Sequence, residues 1–163
     1  MLENLINLVR ENAGNSIINN PEVPNEQNDA VIEAAGQSVQ RSMQNMIMQG
    51  KLQDLLSLFH NGAENAATNT STQNISTDLV QNLTEKFGFN QATSSGIASS
   101  LIPGLLQKLV SKTNDPSDNS FNLEGIIGHL TSGDGLSNLL GGLTSNKSTE
   151  GIMDKVKSLF GNT

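Results

Sequence analysis

His60 and His129 are the first residues to test for chemistry, because imidazole titrates near neutral pH and is a common metal ligand. They are the chain's only histidines, and no H-x-x-x-H spacing places two imidazoles on one helix face. A shared metal would therefore need carboxylates such as Asp54 or Glu124. His60 follows Phe59 at a predicted helix end, where an imidazole caps free carbonyls. His129 lies between Gly128 and Leu130, beside an apolar stripe. Two carboxylate pairs stand out, Asp115 with Asp118 and Glu22 with Glu26. Neither sits in the Asp-x-Asn-x-Asp-Gly frame, closed by a Glu at its twelfth position, that defines a calcium loop. The hydroxyl run Thr93 to Ser95 has no histidine near it in sequence and no Gly-x-Ser-x-Gly elbow. Gly133, Gly135, Gly141 and Gly142 are not followed by the Gly-Lys-Ser/Thr ending of a phosphate loop. With no cysteine, disulfides, thiolate nucleophiles and Cys-ligated zinc are excluded. No catalytic residue, metal or cofactor is expected, and the chain reads as non-enzymatic.

Composition points the same way. The formal net charge is −7, and the nine basic residues are scattered rather than clustered. Duplex binding needs grouped Lys and Arg against phosphates, and single strands need aromatic platforms, so nucleic acid is not an expected partner. There is no Trp or Tyr and only five Phe, which leaves a core of Leu, Ile, Val, Met and Ala. Such a core suits helix on helix better than sheet on sheet. The expected fold class is all-α, a multihelical bundle. The N-terminus MLENLINLVREN carries Glu3 and no basic leader, and no stretch reaches the roughly 20 apolar residues of a spanning helix. Lys155 and Lys157 flank Val156 on a predicted last helix, but a membrane-surface helix carries more cations and a larger apolar face. Membrane association is not expected, and a cytoplasmic location is.

The elements follow from periodicity and punctuation. A first helix is predicted from Leu2 to about Ala13, with Leu2, Leu5, Ile6 and Val9 as its stripe. Pro21 and Pro24 enforce a turn, and Asn25 or Asn28 is positioned to cap a long helix to about Gln49. That helix would bury Val31, Ala35, Val39, Met43 and either Met46 or Ile47. A short helix over 51–60 is closed by Gly62. The central pair follows, with Leu79, Leu83 and Phe87 on one helix, Gly88 as its cap, and Asn90 capping the next. Ile97, Leu101, Leu105 and Leu109 then recur every fourth residue. Pro103 inside that run predicts a kink or a break. Asn122 is expected to cap a short helix carrying Ile126 and Leu130.

Displacing the first half by 66 residues lays Val31 on Ile97, Ala35 on Leu101, Val39 on Leu105 and Met43 on Leu109. The expected organisation is therefore two related halves, 1–62 and 74–133, joined by a polar linker, 63–73. A helical extension, 134–163, would follow, and all four segments are compatible with one packed domain.

Leu79 with Leu83, the turn Phe87-Gly88-Phe89, the small-residue run Ala92 to Ser100, then Leu101, Pro103, Leu106 and Leu109 resemble the YidB-like family of uncharacterised bacterial proteins. The first half follows that pattern more loosely, with Gln37 where the second has Pro103. The resemblance implies a multihelical bundle and a bacterial source, and it brings no catalytic residues.

Met43, Met46 and Met48 cluster on the long helix, either as core filling or as an adaptable binding surface. The candidate partner-binding residues are Met43, Met46, Leu139 and Leu143. The expected function is protein–protein interaction, with an unidentified protein partner or with a second copy of the chain. The alternative is a small-molecule or lipid-binding module with an apolar cavity between helices.

Overall fold

The first helix, α1 (Leu2–Asn12), has Ala13 as its C-cap, close to the predicted end. The chain continues through a single π-helical turn, Gly14–Ile18, which keeps Ile17 in the core while Ile18 points outward. The computed structural model describes residues 1–131. After the turn come α2 (Asn28–Met48), α3 (Leu52–His60), α4 (Ala63–Ala66), α5 (Thr70–Phe87), α6 (Gln91–Thr113) and α7 (Leu123–Thr131). The described residues are helical and contain no strand, so the fold is all-α. Met1–Leu130 form one compact unit.

Four long helices make the frame, and their directions follow from individual contacts. Arg10 meets Asp29, and Ile6 lies against Gly36, so α2 runs back along α1. Asn4 donates to the Ser120 carbonyl at one end, while Thr93 donates to Glu22 at the other, so α6 also runs against α1. The short turn at Gly88 folds α6 back on α5. It follows that α2 and α5 are antiparallel as well, and Ser42 donates across that seam to Asp78. The packing order is a ring in which α1 touches α2, α2 touches α5, α5 touches α6 and α6 returns to α1. This is an up-and-down bundle, in which each helix needs an apolar face wide enough for two neighbours. That breadth explains why α1 buries Leu8 beyond its predicted stripe, and why both Met46 and Ile47 are buried on α2.

Two local expectations are corrected, and of the kink or break expected at Pro103 the break is absent. The segment 63–73 is not a linker: it holds α4 and the first turn of α5, with Ala66, Ser71 and Thr72 in the core. Neither Asn25 nor Asn28 caps α2. The helix is entered through a 3₁₀ turn, Asn25–Gln27, and the side chain of Gln27 makes no capping hydrogen bond. Pro103 does not break α6, which is continuous from Gln91 to Thr113 because Leu101, Ile102, Leu105 and Leu106 around it are all buried. Packing on that scale outweighs the cost of about 3 kcal/mol that an interior proline carries.

The caps predicted for the central pair are present. Gly88 closes α5 in the left-handed conformation, with φ 69°, which a side chain would strain. Asn90 caps α6 by accepting the Thr93 N–H at 2.8 Å. Asn122 likewise accepts the Gly125 N–H at the start of α7. The segment 134–163, including its predicted helices, lies outside the described residues.

Candidate docking groove

A groove opens where α4 and the N-terminal halves of α5 and α6 meet. Its position is set by three local devices. Asn69 caps α5 by accepting the Ser71 N–H at 2.9 Å, and Thr72 donates to the Ala66 carbonyl, which ties α4 to the start of α5. The Gly88 turn then sets α6 beside α5, and Thr84 donates to Ser94 across the pair at 3.1 Å. Between them lies a groove of about 430 Å³, lined among others by Thr72, Ser76, Val80, Ser95, Ser99 and Pro103. It is open to solvent, and none of its lining residues carries a charge. The lining offers hydroxyls, amides and a few short apolar groups, which suits a polypeptide better than an aliphatic chain.

The outer surface of α6 extends this uncharged ground. No charged residue occurs between Lys86 and Lys108. Ala92, Gly96, Ser100 and Gly104 fall at i, i+4 intervals, so they share one helix face. Ala92, Gly96 and Ser100 are exposed, and Gly104 is partly so. A Cβ added at Gly96 or Gly104 would meet nothing within 4 Å. Internal packing therefore does not require glycine at either position, although each costs the helix about 1 kcal/mol relative to alanine.

The residues singled out from the sequence take other roles. Met43 and Met46 are buried, 0% and 4% exposed, so they fill the core and offer no surface to a partner; the exposed methionine of the cluster is Met48. Leu139 and Leu143 lie outside the described residues. The ring nitrogen Nδ1 of His60 lies 2.8 Å from the Leu56 carbonyl, so it carries the proton and caps the end of α3. Among the described residues, no three His, Asp or Glu side chains are grouped as metal ligands, and no helix is long and apolar enough to cross a membrane.

Of the two carboxylate pairs, Asp115 with Asp118 is a local fastener. Asp115 accepts from the N–H and hydroxyl of Ser117, and both bonds lower its pKa. Asp118 accepts from Ser120 and from Lys112 at 2.9 Å, and these bonds hold its carboxyl down at about 2. Lys112 is raised in turn, first by its hydrogen bond to Asp118. Together they staple the α6–α7 loop to the end of α6. Glu22 anchors the α1–α2 connection to α6 through Thr93, at 2.8 Å.

The groove-lining residues Thr72 and Ser76 escape sequence reading because their segment is rich in Ser, Thr and Asn. The usable signal was apolar spacing, Ile75 to Leu79 to Leu83, behind the cap at Asn69. Comparison with protein-family models, with curated proteins and with solved structures finds no match to this chain.

Proposed function

We propose that this protein is a non-enzymatic helical module that self-associates through the groove and the small-residue face of α6. The observation that carries the reading is the exposed Gly96 and the partly exposed Gly104, each with open space where a Cβ would stand, beside an uncharged groove. A small, flat helix face lets a second helix approach closely, and glycines with no internal packing role are accounted for by such an approach. A second copy is the occupant that charge favours. Two chains of net charge −7 repel over most of their surfaces, and the stretch between Lys86 and Lys108 is where they meet without like charges. A face crossing its own symmetry mate is also self-complementary, as a two-fold interface requires.

Membership of the YidB-like family, a bacterial source and a cytoplasmic setting belong to the same proposal, supported by the order of motifs in α5 and α6 and by the cysteine-free composition. Light scattering on the size-exclusion peak over a hundredfold dilution tests the reading. The expected result is a defined oligomer, converted to monomer by Gly96→Leu with an unchanged helical spectrum. A monomer at every concentration would end it.

A further inference from the structure

Asn61-Gly62 is the chain's one Asn-Gly pair, and it sits in the turn between α3 and α4. We propose that it is a site of spontaneous covalent ageing, at which Asn61 deamidates through a succinimide to aspartate and isoaspartate. This inference is independent of the self-association reading. Three features of the turn support it. The Asn61 side chain is exposed and makes no hydrogen bond among the described residues. The Gly62 N–H donates no backbone hydrogen bond, so the nucleophilic nitrogen is not held by a carbonyl. Gly62 has no Cβ to obstruct the approach, and its φ is 79°.

The step balances without any residue acting as catalyst. The Gly62 amide gives its proton to solvent hydroxide, and its electron pair attacks Cγ of Asn61. A new N–C bond forms as the Cγ–Nδ2 bond breaks, and Nδ2 takes a proton from water and leaves as ammonia, regenerating hydroxide. Water then opens the ring at either carbonyl, giving aspartate or isoaspartate. Two other exposed asparagines in turns are restrained. At Asn119 the next N–H, that of Ser120, is held by Asp118 at 2.9 Å. At Asn19 the next N–H, that of Asn20, is held by the Ile17 carbonyl.

The consequence falls on α4. Asn65 Nδ2 donates to the Asn61 carbonyl at 2.8 Å, and Ala66 is fully buried with its carbonyl accepting from Thr72. An isoaspartyl link adds one carbon to the main chain at Asn61, and it places a negative charge at the C-terminal end of α3, where the dipole disfavours it. The link therefore loosens the segment that closes one end of the groove.

The test is to age the purified full chain in mildly alkaline buffer and to map its peptides by mass. The expected result is that the Asn61 peptide is the first to gain the mass of an amide-to-acid exchange, split into two chromatographic forms. Asn61→Gln, which cannot close the five-membered ring, should lose that shift while keeping the same helical spectrum. Gly62→Ala is a poorer control, because alanine is strained at that φ. In the aged fraction, amide exchange over Ala66–Ser71 should be faster than in fresh protein. An intact Asn61 peptide at a time when another asparagine has reacted would overturn the proposal. So would persistence of the shift in Asn61→Gln.

Discussion

Laid over one another at an offset of 66 residues, the two halves of this bundle bury the same positions by different means. Leu5, Val9, Ala13 and Ile17 correspond to Ser71, Ile75, Leu79 and Leu83, and every one of the eight is buried. The register continues through Val31, Ala35, Val39 and Met43 against Ile97, Leu101, Leu105 and Leu109, again all buried. The π-helical turn at Gly14–Ile18 lets the first half complete, with α1, the span that α5 covers as one helix. An i, i+4 repeat of inward positions at this offset is what an up-and-down bundle of two helical hairpins requires.

The differences are at the ends and on the outside. The second half has its helices capped by Asn69, Gly88 and Asn90, whereas α2 begins without a side-chain cap. Gly36 packs a backbone against Ile6 inside the bundle, while Gly96 and Gly104 face outward. Local signals thus specify the second hairpin, and tertiary contacts specify the first. The outward glycines also place the proposed interface in the second half alone.

The comparison is broken most severely in the core. Leu105→Ala is expected to cost about 2–5 kcal/mol, and Val39→Ala, at the matching position with fewer carbons to lose, about 2 kcal/mol. Urea midpoints at constant slope measure both, and equal losses would mean that the two helices do not share an equivalent core. Next comes the contrast between glycines. Gly36→Ala would set a Cβ 2.8 Å from Ile6 Cγ1 and should destabilise by about 1–3 kcal/mol, as overpacking does. Gly96→Ala should instead raise stability by about 1 kcal/mol. Thermal melts of the pair check the signs, and a stabilising Gly36→Ala would show that Ile6 yields freely.

The caps give a smaller contrast. Asn90→Ala is expected to cost about 1 kcal/mol through loss of the Thr93 bond. Asn28→Ala should be neutral or mildly stabilising, because its buried Oδ1 has no partner and does not cap α2. A loss at Asn28 equal to that at Asn90 would contradict the uncapped start of α2.

The smallest expected effect is that of pH. Asp118 is lowered from 3.8 to about 2, so its contribution is present above pH 3.8 and is lost as pH falls through about 2. Lys112, raised by the same pair, adds stability that is lost only at strongly alkaline pH, as pH climbs through its folded pKa. Melting wild type and Asp118→Asn from pH 6 downward should show a small gap that closes across that acid window. A gap constant down to about pH 2 would assign the effect to geometry rather than charge.

What the residues determined by themselves was the helical class, the core positions and the punctuation of the second half. Gly88, Asn90 and Asn122 act within a few residues, and the four-residue recurrence from Ile97 to Leu109 needs no partner to be visible. Tertiary structure decided the rest. Thr70 to Gln73 follow the Asn69 cap into the helix, and Ser71 and Thr72 are held in the core by partners outside it, the Asp54 and Ala66 carbonyls, that composition does not reveal. Pro103 stays inside α6 because the flanking Leu101, Ile102, Leu105 and Leu106 are all buried. Met43 and Met46 are core because the elements packed on α2 leave them 0% and 4% exposed. A side chain's burial depends on which helix arrives beside it, and that pairing is a property of the whole bundle rather than of any short stretch.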